Sequence, residues 1–267
     1  MAGGCYKPMP SFVRVSSVFC LLIIMTSMQG RIGYGEEPVR GGSLVIAYGA
    51  EPPMLNPALT TGEVTAHIGG NIFNGLIELD RSFKPHPSLA ESWKVSPDGK
   101  AYTFVLRRDV KWHDGKQFTS ADVKFTWDKI FLVGGGYNAF GPMYVQSVEA
   151  PDDYTVVFNL KYPYAVVTEL VDNIFPICPK HLYEGTDVIK NEYNLKPVGT
   201  APFTFVEWVK GNYWKMEAVP DHWRKVPEFQ YLVRHMVPEE ATRIAMLRAG
   251  GADVIMVKTE SIKELEN

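Results

Sequence analysis

Residues 87–123, PSLAESWKVSPDGKAYTFVLRRDVKWHDGKQFTSADV, set two strands, a turn and a helix start in close succession. Trp93 and Val95 lead into Ser96-Pro97-Asp98-Gly99, and Tyr102-Thr103-Phe104-Val105-Leu106 leads out. Pro97 presets φ for the first central position of a turn, and Gly99 tolerates a positive φ at its end, so 91–106 reads as a β-hairpin. Thr119-Ser120-Ala121-Asp122 then has the form of a capping box, in which a hydroxyl caps a helix and an acid three residues on reaches back. The helix that it opens should bury Val123, Trp127, Ile130 and Phe131. Between hairpin and helix stands Trp112-His113-Asp114-Gly115. A histidine beside an aspartate suggests proton transfer, yet adjacent strand residues point to opposite faces and Asp-Gly is a turn pair. A turn is expected there.

Outward from this stretch the same alternation of strand and helix continues. Ser43 to Tyr48 is a strand stopped by Gly49 and Pro52-Pro53. From Glu63, Val64, Ile68, Ile72 and Leu76 recur every four residues and predict a helix, against which Gly69-Gly70 counts. A second hairpin runs from Tyr144 through Pro151-Asp152-Asp153 to 156–160. Two strands, Phe203 to Val209 and Tyr213 to Ala218, flank the turn Lys210-Gly211-Asn212. Phe229 to Val237 is a further strand, and Pro238-Glu239-Glu240 opens a helix with Pro at its start, Ile244 and Leu247 on one face, and Gly250-Gly251 at its end. A short strand, Asp253 to Val257, and a charged helical turn follow. The class is mixed α/β.

Taken in order, Pro87 to Trp93, Ser96 to Gly99, Tyr102-Thr103-Phe104, Leu106-Arg107, Val110 to Gly115, Phe118-Thr119-Ser120 and Asp122-Val123 resemble the family-5 extracellular solute-binding proteins of ABC importers. Gly41 to Leu44 with Leu55-Asn56-Pro57, Pro197 to Phe203, and Glu239 to Asp253 carry the same resemblance. Ala201 departs from it, standing where the family usually has glycine. The resemblance implies a periplasmic-binding-protein-like type II lobe over 36–267 with an inserted α+β subdomain at about 60–190, the second lobe being missing. It implies a binding subunit that captures a peptide or similar small solute and delivers it to the ABC permease, without enzymatic activity. A nickel or other metal-chelate binder and a ligand-binding receptor for a chemosensory system stay open beside it. The candidate ligand contacts of this lobe are Glu51 and Pro53 after the first strand, Phe73 and Asn74 on the first helix, Phe125 and Trp127 on the capped helix, and Tyr137 and Phe140 beyond it. Core packing is the competing role for the aromatic ones. A monomer is expected.

The first 35 residues hold Lys7, Arg14 and Arg31, no acid, and an apolar run from Val15 to Met25. This is the pattern of a secretory signal peptide cleaved near Gly35, or nearer Gly30, and it points to a periplasmic or extracytoplasmic location. Cys20 lies inside the run rather than after it, which argues against lipid attachment. Loss of 1–35 would remove Cys5 and Cys20 and leave Cys178 as a buried small hydrophobe without a disulfide partner. It would also move the formal charge from −3 to −6, which disfavours nucleic acid as a partner. No HExxH, GxSxG or phosphate-loop pattern occurs, the histidines have no metal-ligand spacing, and Gly134-Gly135-Gly136 reads as a loop, so neither cofactor nor metal is expected.

Overall fold

A computed structural model describes residues 40–133, 141–165, 167–171 and 175–265. The expected signal peptide 1–35, the triglycine 134–136, Tyr137 and Phe140 lie outside the described residues.

Strand β1 (Ser43–Tyr48) alternates around Leu44 and Ile46, which pack against the smaller of two hydrophobic cores. The chain then leaves the sheet through helix α1 (Glu63–Ile72) and a set of strands: β2 (Ile77–Leu79), β3 (Pro85–Pro87), β4 (Ala90–Val95), β5 (Ala101–Leu106), β6 (Val145–Asp152) and β7 (Thr155–Leu160). It returns as β8 (Phe203–Val209), β9 (Tyr213–Ala218), β10 (Tyr231–Met236) and β11 (Val254–Ile255). The five-stranded sheet has the order β11-β1-β10-β9-β8, with β1 parallel to both β10 and β11 and the remaining pairs antiparallel. A four-stranded antiparallel sheet, β4-β5-β7-β6, is built wholly from residues that lie between β1 and β8 in the chain.

The expected hairpin forms, with Ser96 accepting from Gly99 N–H at 2.9 Å and Gly99 at φ +69°. Helix α2 (Ser120–Phe125) opens on the capping box, the Asp122 carboxylate accepting the Thr119 N–H at 2.9 Å. It continues as a π-helical turn over Thr126–Phe131. The Thr126 hydroxyl donates to the Asp122 carbonyl at 2.8 Å and accepts the Cys178 N–H at 2.9 Å, so a side chain and a neighbouring loop both enter the helical ladder at the widened turn. Val123, Trp127, Ile130 and Phe131 are buried as expected, facing Phe104, Phe118 and Phe158 in the larger core. Each such aromatic contributes on the order of 1.5–3 kcal/mol through burial alone.

Helix α1 survives its two glycines because one of them has a packing task. A Cβ at Gly69 would sit 2.2 Å from the Pro57 ring, so only hydrogen there lets the 57–59 turn dock on the helix. Leu76 is buried but falls beyond the helix end. Helix α3 (Glu240–Arg248) begins two residues later than expected, with Glu239 in extended geometry as its cap and Pro238 still outside the helix. The strand read as 253–257 shortens to two residues, and the second hairpin turns at 153–154, its first strand running on through Asp152. Helix α4 (Thr259–Leu265) follows β11.

Candidate functional site

In a sheet with parallel strands, ligands meet the carboxyl ends of those strands, where the connections diverge. Here those ends are Tyr48, Met236 and Ile255. Behind Tyr48 the loop 49–55 is fastened at both ends. One Glu51 carboxylate oxygen accepts the Trp208 indole N–H at 3.0 Å and the Gly211 N–H at 2.8 Å, which ties the loop to the β8–β9 turn. At the far end Leu55 N–H donates to Asn194 at 2.8 Å and the side chain of Leu55 enters the smaller core. Asn56, fully buried, caps the following turn through Ala58 N–H at 2.9 Å and donates to the Tyr183 hydroxyl and Asn194, both at 3.1 Å. Pro53 stands exposed at the tip. After the other strands, Arg243 on α3 gathers three carbonyls, Val237 at 2.6 Å, Pro238 at 2.7 Å and Met256 at 2.7 Å. The two loops that follow β10 and β11 are thereby held together.

Beside the end of α1 lies the segment Gly199-Thr200-Ala201. Ala201 N–H donates to the Ile72 carbonyl at 3.0 Å, and a Cβ at Gly199 would fall 1.7 Å from that same oxygen. Thr200 donates to the Asn74 side chain at 3.1 Å, while its carbonyl accepts from His222 and Trp223, both at 2.9 Å. His113 completes the clasp. Its Nδ1 accepts the Gly199 N–H at 3.2 Å and its Nε2 donates to the Ala201 carbonyl at 2.8 Å, an arrangement that one neutral tautomer alone satisfies. Burial pushes its pKa down to about 4 and lowers that of His222 as well. Next to it Asp114 accepts from His181 at 2.7 Å, so the two members of the His-Asp pair turn away from each other, as a turn requires. The Arg107 and Arg224 guanidiniums lie 4.9 and 4.6 Å from the Trp223 ring centroid and hold this wall of a cavity of about 210 Å³.

The sequence-based site residues divide sharply. Phe73, Phe125 and Trp127 are 1, 9 and 7% exposed and pack in the cores, Trp127 edge-on to Phe131 and Phe158. Their rings are enclosed by protein, which is the core-packing role that competes with ligand contact for these three. Asn74 is 3% exposed, and its side-chain oxygen is taken by Thr200. Glu51 and Pro53 remain at the surface beside the strand ends. Cys178 is free and buried, and burial raises its thiol to about 12.

Two residues on β1 and β10 escaped the sequence reading. Tyr48 places its hydroxyl 3.4 Å from Glu63. Arg234 projects from the middle of β10 on the face that carries Leu232, and its buried Nε has no hydrogen-bond partner among the described residues. An arginine directly after the apolar Leu232-Val233 of a strand was the available signal.

Residues 84–267 match the bacterial extracellular solute-binding proteins, family 5, middle region. The chain is 32% identical over 236 residues to the oligopeptide-binding protein AppA of Bacillus subtilis, covering 86% of this chain and 43% of that protein. It is 30% identical over 243 residues to the dipeptide-binding protein of Escherichia coli, covering 81% and 45%. The structure of Bacillus subtilis AppA in complex with a nonapeptide superposes with a TM-score of 0.80 at 31% identity, over 86% of this chain and 47% of that one. DppA from Helicobacter pylori in complex with a peptide gives 0.78 at 29%, over 86% and 49%. The chain thus spans about half the length of the relatives it matches, and its fold is that of the type II periplasmic binding proteins. It belongs to the bacterial extracellular solute-binding proteins of family 5.

Proposed function

We propose that the parent protein is the extracytoplasmic solute-binding subunit of an ABC importer, that it captures peptides or a similar solute, and that this chain is its first lobe. The observation that carries the reading is the family match over 84–267 together with a fastened loop, 49–55, at the carboxyl ends of the parallel strands. AppA is named as oligopeptide-binding, and the Helicobacter pylori structure holds a peptide. A solute on this lobe would lie along that loop, with Pro53 and the outer side of Glu51 as contacts and Tyr137 and Phe140 as further candidates. Backbone pairing with an extended peptide needs no particular side chain, which suits a site whose aromatic rings are spent in the cores. Residues 1–35 act as the export signal, and delivery to the membrane permease follows capture. Binding, not bond cleavage, is the task.

The test is titration of the purified chain with a pool of two- to nine-residue peptides, followed by thermal unfolding and by mass spectrometry of the pool. Stabilisation by a subset of peptides recovered intact is expected. A pool that leaves the melting temperature unmoved, or returns cleaved, refutes the reading.

A further inference from the structure

Arg234, two residues before the carboxyl end of β10, carries a charge whose Nε the fold leaves without a partner. Its neighbours across the sheet are Ile46 on β1 and Trp214 on β9, and α1 covers the same face. The guanidinium is half-buried, its Nε has no hydrogen-bond partner, and neither has the indole N–H of Trp214, which is 1% exposed and directly opposite on the same rung. Other arginines in comparable surroundings are satisfied: Arg107 by Asp109 at 2.7 Å, Arg224 by Glu78 at 2.6 Å, and Arg243 by three carbonyls. A cation taken out of water without an anion is costly, and folds retain one when a partner arrives from elsewhere. Desolvation lowers the Arg234 pKa, and Tyr48 is the group whose field acts on it. Tyr48 is also the last residue of β1, so the charge lies toward the carboxyl edge.

We propose that Arg234, with the Tyr48 hydroxyl beside it, is an anion-recognition point of this lobe and takes a carboxylate of the captured solute. The inference rests on the solute-binding reading above. A planar guanidinium matches a carboxylate through paired N–H donors. Glu63, 3.4 Å from the same hydroxyl, leaves the surroundings too weakly positive for a doubly charged phosphate. A monoanion is the fitting partner.

The experiment has two arms on the full chain and on Arg234→Met, with Arg234→Lys as a charge-retaining control. In the first, side-chain ¹H–¹⁵N resonances of Trp214 Nε1 and Arg234 Nε are followed while acetate, acetamide or chloride is added at constant ionic strength. A saturable shift with acetate alone, absent in Arg234→Met, is expected; no acetate-specific shift overturns the proposal. In the second, trialanine and its C-terminal amide are titrated. Tighter binding of the free acid, about tenfold, which Arg234→Met reduces to the level of the amide, is expected. Equal binding of acid and amide overturns the proposal while leaving solute binding intact. Failure of both peptides to bind removes the solute-binding reading itself and the carboxylate assignment with it. Arg234→Lys reports on folding: a native melt with partial acid preference supports the role of charge, and a native melt with full preference in Arg234→Met refutes it.

Discussion

Acidification should loosen the clasp on Gly199-Thr200-Ala201 before it titrates the surface. His113 is neutral in the fold because Nδ1 must accept from Gly199 while Nε2 donates to Ala201, and its pKa falls from 6.5 to about 4. The folded state therefore refuses a proton that the unfolded chain accepts between those two values. Stability from this residue is fully present above pH 6.5, declines as pH falls, and stops declining near pH 4. With one pKa unit equal to about 1.4 kcal/mol, the loss is about 1.4 kcal/mol at pH 5.5 and about 3 kcal/mol at pH 4. His222 is shifted in the same direction, and Asp122, raised by burial, works in the opposite sense. The measurement that isolates His113 is urea unfolding by tryptophan fluorescence at pH 7, 5.5 and 4 for the parent and His113→Gln. The parent's advantage over the variant should shrink by those amounts. Parallel loss of stability in the two proteins would refute the tautomer argument.

Other consequences are equally direct. Gly199→Ala drives a methyl into the Ile72 carbonyl, a backbone atom that no rotamer change can move, and should cost about 4 kcal/mol or more; a melting temperature within about 2 °C of the parent would contradict it. Arg243→Met removes the shared donor of three carbonyls between β10, α3 and β11 and should lose about 1–3 kcal/mol in urea unfolding. Cys178, buried and with its thiol raised to about 12, should react with a thiol reagent roughly 100-fold faster in urea than in the native chain, as peptide mass mapping of that residue will show.

Local chemistry made most of the elements legible. The hairpin around Ser96–Gly99 and the capping box at Thr119 are decided by residues within a few positions of one another, and both form where expected. What is decided over long distances was not legible. Nothing in the spacing of Gly69 announces that Pro57 will press on it, and the π turn after Phe125 depends on Cys178, 52 residues away. The candidate site shows the same division. Helical periodicity places Phe73 and Trp127 on an apolar face without saying whether protein or ligand will cover that face, and here protein does. Arg234 was overlooked for the complementary reason. Its oddity is the lack of a partner, and partners become visible only when strands β1 and β9 lie beside it.

The parallel pairing of β1 with β10 and β11 has a consequence for how the polypeptide is made. Strand β1 leaves the ribosome early, but the strands that flank it emerge about 180 residues later. During that interval its backbone donors and acceptors have no lasting mate. Between the two events come the hairpins of the four-stranded sheet, whose mates are near neighbours and can close at once. The four-stranded part is thus free to mature first, and the five-stranded sheet is completed only when β10 and β11 reach β1.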